Sequence, residues 1–316
     1  MNADFEAELA AHDASGAYRR TQAFEQLNRR LSAQMLWLAR AGDALLLAKP
    51  WADALGTEAH RRGVELVSPE DKGSQAGRLF TPWGWTPSAA EAGMKVGAIV
   101  RPIGFEIVRR VNSKLWSHAL EVELGVALEG AATADTIETL REHAARACPG
   151  PQDKWVIKSP YGFAARERVL GRGPAVEGAQ AVWASKRLAR GETLIFQPWL
   201  EVVREYGVVV EINDDGSHRV LGVSDLQTNG AGTGTGYMLG RPPIIERMTQ
   251  LEAMASVVCE RLHAEGYRGP AGVDAIEHAG GLHPLLEVNA RYTMGFVALA
   301  VERALKPSTP LFWSSK

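Results

Sequence analysis

The chain has 316 residues, 46% of them hydrophobic and 23% charged, and its 35 lysines and arginines against 37 acidic residues give a formal net charge of −2. That length suits two or three packed units, and the near-neutral balance lacks the basic footprint of a dedicated nucleic-acid binder. Two cysteines, Cys148 and Cys259, cannot build a disulfide framework or a cysteine-rich zinc site. The acidic start, residues 1–6, has no basic stretch leading into an apolar one, so no signal peptide is expected. The apolar run 44–48 is far short of the ~18 residues of a membrane span. The expectation is a cytoplasmic protein with no nucleic-acid or membrane partner.

Residues 22–40 carry Phe24, Leu27, Leu31, Met35, Leu36 and Leu38 at helical spacing, and Gly42 leads into a buried strand over 44–48. A second helix over about 52–62 and a strand over 64–67 continue a strand–helix–strand rhythm, which predicts a parallel pair in a small α/β unit over 1–110. Within it, residues 82–87 (Pro-Trp-Gly-Trp-Thr-Pro) form a rigid aromatic turn, read either as a loop anchored by packing or as the wall of a cleft. A helix is expected from Asn112 or Ser113, and another from an Asp135 N-cap with Glu138 three residues on. Beyond residue 150 strand signals dominate, at 155–157, 193–196, 205–212 and 219–223, with a hairpin turn at 213–216 and a helix over about 246–265. The fold class is therefore α/β followed by α+β, divided as 1–110, 111–190 and 191–316.

The clearest chemical signal lies near the end. If Gly280 and Gly281 form a two-residue turn, facing residues have numbers summing to 561. Asp274 then opposes Glu287, while Glu287, Asn289 and Arg291 share a face and Leu286, Val288 and Ala290 face the core. Opposed carboxylates repel unless a cation lies between them, and two carboxylates with an amide oxygen are hard ligands suited to Mg²⁺. A solvated polar face, its carboxylates paired with Arg291 and a nearby lysine, is the alternative. Upstream, Lys158 ends a strand before a loop of small residues, an arrangement that can grip phosphate or can be a turn with a surface lysine. At Gln197-Pro198-Trp199-Leu200 a proline removes a ladder donor, leaving backbone groups free for a planar base, with Glu205 downstream able to accept from ribose hydroxyls; an ordinary strand end is the alternative.

Taken together and in this order, the three segments resemble the ATP-grasp family over residues 112–301. The resemblance implies that Lys114 and Lys158 contact ATP phosphates, that residues 161–166, including Tyr161, Gly162 and Arg166, form the loop closing over them, and that Gln197, Trp199 and Leu200 form the adenine hinge, with Glu205 at the ribose. It further implies that Asp274, Glu287 and Asn289 hold Mg²⁺, or Mn²⁺ in its place, and that Arg291 steadies the transferred phosphoryl group. The sequence departs from the family pattern in a glycine-poor loop, in Gln197 where glutamate is frequent, and in lacking an arginine two residues before Asp274. The implied fold is ATP-grasp with a small N-terminal α/β domain. The implied activity is an ADP-forming ligase joining a small-molecule carboxylate to an amine, such as an amino acid or small peptide, and a homodimer is compatible with it. A small-molecule kinase and a non-catalytic nucleotide-binding scaffold are the alternatives.

Residues 228–237, rich in glycine, do not open a helix and so fail the context of a dinucleotide fingerprint. They are expected to form a mobile loop, either over the acceptor site or as a plain connection. His278 and His283, flanking the final turn, are expected at the surface.

Overall fold

A computed structural model describes residues 1–11, 18–162 and 167–314. The chain opens with α1 (Phe5–Ala11) and α2 (Gln22–Ser32), the latter begun by the Thr21 hydroxyl accepting from the Phe24 N–H. The helix expected over 22–40 ends at Ser32 and tightens into a 3-10 turn over Ala33–Trp37, a common way of using the last carbonyls of a helix. Strand β1 (Ala44–Leu46), α3 (Asp53–Arg61) and β2 (Glu65–Val67) follow, and β1 pairs with β2 in parallel as expected. Helices α4 (Pro87–Lys95), α5 (Phe105–Val111) and α6 (Lys114–Glu123) come next, and the Ser113 hydroxyl accepts from the Leu115 N–H at the start of the last.

A four-stranded antiparallel sheet follows, made of β3 (Ala132–Ala134), β4 (Lys154–Lys158), β5 (Arg168–Arg172) and β6 (Leu194–Pro198) in the order β3-β6-β4-β5. It is covered by α7 (Ile137–Ala147) and α8 (Gly178–Leu188), with Trp155, Ile157, Leu194 and Phe196 at its core. The cap of α7 is Thr136, not Asp135. Thr136 accepts from the Thr139 N–H, and the Asp135 carboxylate is taken by the Thr193 hydroxyl at 2.6 Å.

The larger sheet has six strands: β7 (Val202–Ile212), β8 (His218–Thr228), β9 (Gly234–Leu239), β10 (Gly269–His278), β11 (Gly281–Asn289) and β12 (Leu311–Trp313). Their order is β11-β10-β7-β8-β9-β12, each pair antiparallel. Helix α9 (Ile245–Ala264) packs through Leu251, Ala255 and Val258 into a core shared with Tyr206, Val208 and Val210. On the other face α10 (Met294–Leu305) brings Gly295 against Val209 and Ser224. Phe5 and Leu9 of α1 join the α9 core, far from their sequence neighbours.

Two expectations about glycine are corrected. Only residues 229–233 form a loop in the glycine-rich stretch, because the rest pairs in strands β8 and β9. Gly236 is a strand residue that admits close approach by β12: a Cβ there would lie 2.4 Å from the Trp313 carbonyl oxygen. At the end of the chain, the turn of the β10–β11 hairpin falls at Ala279 and Gly280, so His278 opposes Gly281 and Ile276 opposes His283. Between there and the next pair, Asp274 with Glu287, β11 advances four residues against two on β10. Pro284, which has no ladder donor, lies in this bulge. The bulge restores the expected opposition of Asp274 and Glu287, but it puts Leu285, at 0% exposure, into the core in place of Leu286.

The same bulge buries His283, expected at the surface, to 4% exposure. His283 Nε2 and His118 Nδ1 each lie 3.8 Å from Glu121 Oε2, and among the described residues neither Glu121 carboxylate oxygen has a hydrogen-bond partner. Burial raises the Glu121 carboxyl above its ordinary range, against the pull of His118, and burial drives His283 down to about 4. A carboxyl with a raised folded-state pKa holds its proton more tightly when folded, so its contribution is full below the ordinary carboxylate value and is lost as pH rises through the raised one. His283 acts in the opposite sense, opposing the fold as pH falls from about 6.5 towards about 4. Glu121→Gln should therefore leave stability near pH 4 little changed and raise it at pH 9 by about 1 kcal/mol or more. Denaturant melts of both proteins across pH 4–9 check this; parallel curves would mean that the Glu121 carboxyl titrates alike in the folded and unfolded chain.

Candidate active site

One wall of the site is the six-stranded sheet. Glu287, Asp274, Gly207 and Ser224 form a row across β11, β10, β7 and β8, each directly opposite the next. Gly207 keeps this row narrow, since a Cβ there would come within 2.8 Å of Ser224 Oγ. Glu205 lies two residues along β7 on the same face. Burial, then the charges of Glu287 and Glu205, pushes Asp274 up to about 7. Burial likewise lifts Glu205 to about 7, against a hydrogen bond from Thr228. Glu287 moves the other way: burial raises it, but Lys114, whose Nζ donates to Oε1 at 2.5 Å, holds it below its ordinary value with the help of Lys158 and Arg291.

The facing wall is made by α6 and the four-stranded sheet. Lys114, the first residue of α6, also donates to the Gly162 carbonyl at 2.9 Å. Lys158, at the end of β4, is pushed down to about 8 by burial, with Glu287 pulling it up and Lys114 pressing it down. Directly opposite Lys158 across the β4–β5 pair is Arg168, which the sequence reading did not identify. Its guanidinium lies 5.5 Å from the Trp199 ring centroid and donates to the Ala231 carbonyl in the 229–233 loop. Gln197 is buried opposite Val156, Pro198 closes β6 opposite Trp155, and the Trp199 N–H donates to the Lys154 carbonyl at 2.8 Å, with Leu200 half-buried beyond.

Arg291 closes one end. It donates from Nη2 to Asn289 Oδ1 at 2.8 Å and from Nη1 to the Tyr292 carbonyl at 3.0 Å, and it forms an ion pair with Glu6 of α1. Asn289 Nδ2 in turn donates to Asp274 Oδ2 at 2.9 Å. Behind Arg291 stands the aromatic turn: Gly84 is bracketed by Asn2, whose amide bonds both its N–H and its C=O, and its Cα hydrogens face the Phe5 ring and Arg291 Cβ. Trp83 and Tyr292 pack together there, so the turn is at once anchored by packing and a wall of the site. One expected residue does not join the cluster. Tyr161 turns towards α5, its hydroxyl donating to the Arg109 carbonyl at 3.3 Å under the Arg109 guanidinium, and Arg166 lies outside the described residues.

No protein-family model and no curated protein matches the sequence. Solved structures do match. The chain is similar to the beta-gamma-ATP complex of biotin carboxylase from Campylobacter jejuni, at 14% identity over 91% of this chain and 70% of that one, TM-score 0.57. It is similar to D-alanyl-alanine synthetase A from Vibrio cholerae, at 10% identity over 85% and 94% of the two chains, TM-score 0.54. It is similar also to the biotin carboxylase domain of 2-oxoglutarate carboxylase from Hydrogenobacter thermophilus in complex with MgADP and bicarbonate, at 17% identity over 72% of this chain, TM-score 0.50, although it spans only 52% of that domain. The chain has the ATP-grasp fold. Identities this low establish the fold alone.

Within the ATP-grasp fold, the oxygen-only chemistry of Asp274 and Glu287 suits a hard divalent ion, which would offset the burial and the neighbouring negative charges that together lift Asp274. Asn289 is less suited as it lies, because Arg291 engages its oxygen and its NH₂ faces Asp274. No group of three or more His, Cys, Asp or Glu side chains able to hold a metal occurs among the described residues, so any ion would rely on the two carboxylates and on oxygens from its ligand.

The two carboxylates should differ sharply on substitution. Asp274→Asn removes a repelled charge and keeps an oxygen for the Asn289 bond, so stability without metal should hold or rise slightly. Glu287→Gln strips the counter-charge from Lys114 and Lys158 and should cost about 3 kcal/mol. Thermal melts in a chelator test the contrast, and equal losses would refute it.

Proposed function

We propose that the protein is an ATP-dependent ligase that activates a small-molecule carboxylate as an acyl phosphate and passes it to an amine, releasing ADP and phosphate. What supports this most is the convergence, in an ATP-grasp fold, of Lys114 and Lys158 with Asp274, Glu287 and Glu205 in one half-buried cluster. The lysines would neutralise the phosphates, Glu205 would accept from the ribose, and the backbone beside Gln197, Trp199 and Leu200 would bind the base. A divalent ion, Mg²⁺ or Mn²⁺, when bound by Asp274 and Glu287, would draw charge from the transferring phosphoryl group. Arg291, held by Asn289 and Glu6, would orient the carboxylate for attack on phosphorus. The amine would then add to the acyl carbon as phosphate leaves with the C–O electron pair, and rigid positioning supplies most of the rate. The division at about residues 110 and 190 and a cytoplasmic setting belong to this proposal; the two cysteines are free and buried, and no helix among the described residues is long and apolar enough to cross a membrane.

ADP release from Mg-ATP in the presence of pooled carboxylates and amines tests it. Substrate-stimulated ADP with a condensed product is the expected result; ADP without condensation would indicate a small-molecule kinase, and tight binding without turnover a scaffold. Lys158→Ala should weaken a non-hydrolysable ATP analogue by roughly tenfold or more in titration calorimetry while keeping the fold, since Lys158 contributes more to a phosphate than to the core. Unchanged affinity in a folded variant would remove Lys158 from the site.

A further inference from the structure

Lys158 and Arg168 are directly opposite one another on β4 and β5, so their side chains leave the sheet on the same side. Like charges in that relation destabilise a strand pair unless an anion lies between them. Both are half-buried: Lys158 is depressed by burial and by its cationic neighbours, Arg168 among them, and Arg168 is depressed by burial against the pull of Glu205 and Glu287. The Arg168 guanidinium is thus held at the cleft, between the hinge and the carboxylates of the other wall. Its present partners are weak ones for a full positive charge. Among the described residues they are the face of Trp199 and the neutral carbonyl of Ala231, in a loop where Gly232 comes so close that a Cβ would lie 2.9 Å from the Trp199 ring. A phosphate oxygen makes a charge-assisted, bidentate bond to guanidinium that is roughly twice as strong as a bond to a neutral acceptor.

We propose that Arg168 is a nucleotide-binding residue that forms, with Lys158, a cation pair gripping the α- and β-phosphates, and that it leaves the Ala231 carbonyl to do so. This rests on the ATP-binding reading above. Placement beside Trp199 and Glu205, at the hinge and ribose end, assigns Arg168 to the inner phosphates, whereas Lys114 beside Glu287 serves the outer one.

Calorimetric titration of the full chain and of Arg168→Gln and Arg168→Lys with a non-hydrolysable ATP analogue, ADP and adenosine distinguishes the possibilities. Arg168→Gln should lose roughly tenfold for ADP and the ATP analogue alike and nothing for adenosine, with Arg168→Lys between. Without ligand, Arg168→Gln should melt no lower than the parent, because it relieves an opposed cation pair. Loss confined to the ATP analogue, equal loss for adenosine, or unchanged ADP affinity would each overturn the proposal. If the parent chain binds no ADP at all, the ATP-binding reading falls with it, whereas a parent that binds beside unaffected variants removes Arg168 alone.

Discussion

Like charges set opposite one another on each wall of the cleft are the constraint on which the site depends. Asp274 faces Glu287 on one sheet and Lys158 faces Arg168 on the other, and neither pair would be tolerated in isolation at such burial. The walls partly neutralise each other: Lys114 reaches across to Glu287, and its attraction reverses the effect that burial has on that carboxylate. Asp274 has no such partner among the described residues, only an amide NH₂, and stays lifted to about 7. The asymmetry leaves the two carboxylates with different electrostatics, Glu287 held down and Asp274 held up.

Much of this was legible from spacing. Period-two alternation and a glycine turn were enough to oppose Asp274 to Glu287, yet the route to that answer was wrong in two compensating ways. The turn comes one residue earlier, and a bulge at Pro284 adds two residues to β11. The compensation fails in between, where Leu285 and His283 go inward. A proline in a nominal strand was the available sign, since a residue without a donor is tolerated chiefly at edges and bulges, and β11 is both an edge strand and bulged.

What was not legible depends on long-range pairing. Arg168 begins a five-residue strand containing a glycine, with too little pattern to fix a register, and its place opposite Lys158 appears only in the folded chain. The glycine-rich stretch misled in the other direction. Glycine reads as turn in a local window, but Gly234 and Gly236 are strand residues, and at Gly236 the backbone of β12 leaves no room for a side chain.

The N-terminal helix shows how such distant pairing bears on chemistry. A seven-residue helix has little stability of its own, and α1 is held by what it buries: Phe5 and Leu9 enter the same core as α9 and β10, and Asp4 is tied to Arg20, Tyr18 and Asn28. Anchored at those points, Glu6 meets Arg291 with both side chains nearly buried, and the Phe5 ring lies beneath the guanidinium. Arg291 is thereby fixed from two sides, by Asn289 at the end of β11 and by Glu6 on a helix some 285 residues earlier in the chain. A guanidinium already sharing a carboxylate offers a further anion only its remaining donors, and its Nε is buried without a partner among the described residues. The charge and geometry available at Arg291 are therefore set in part by residues near the beginning of this sequence, which supply both the carboxylate and the ring that hold it.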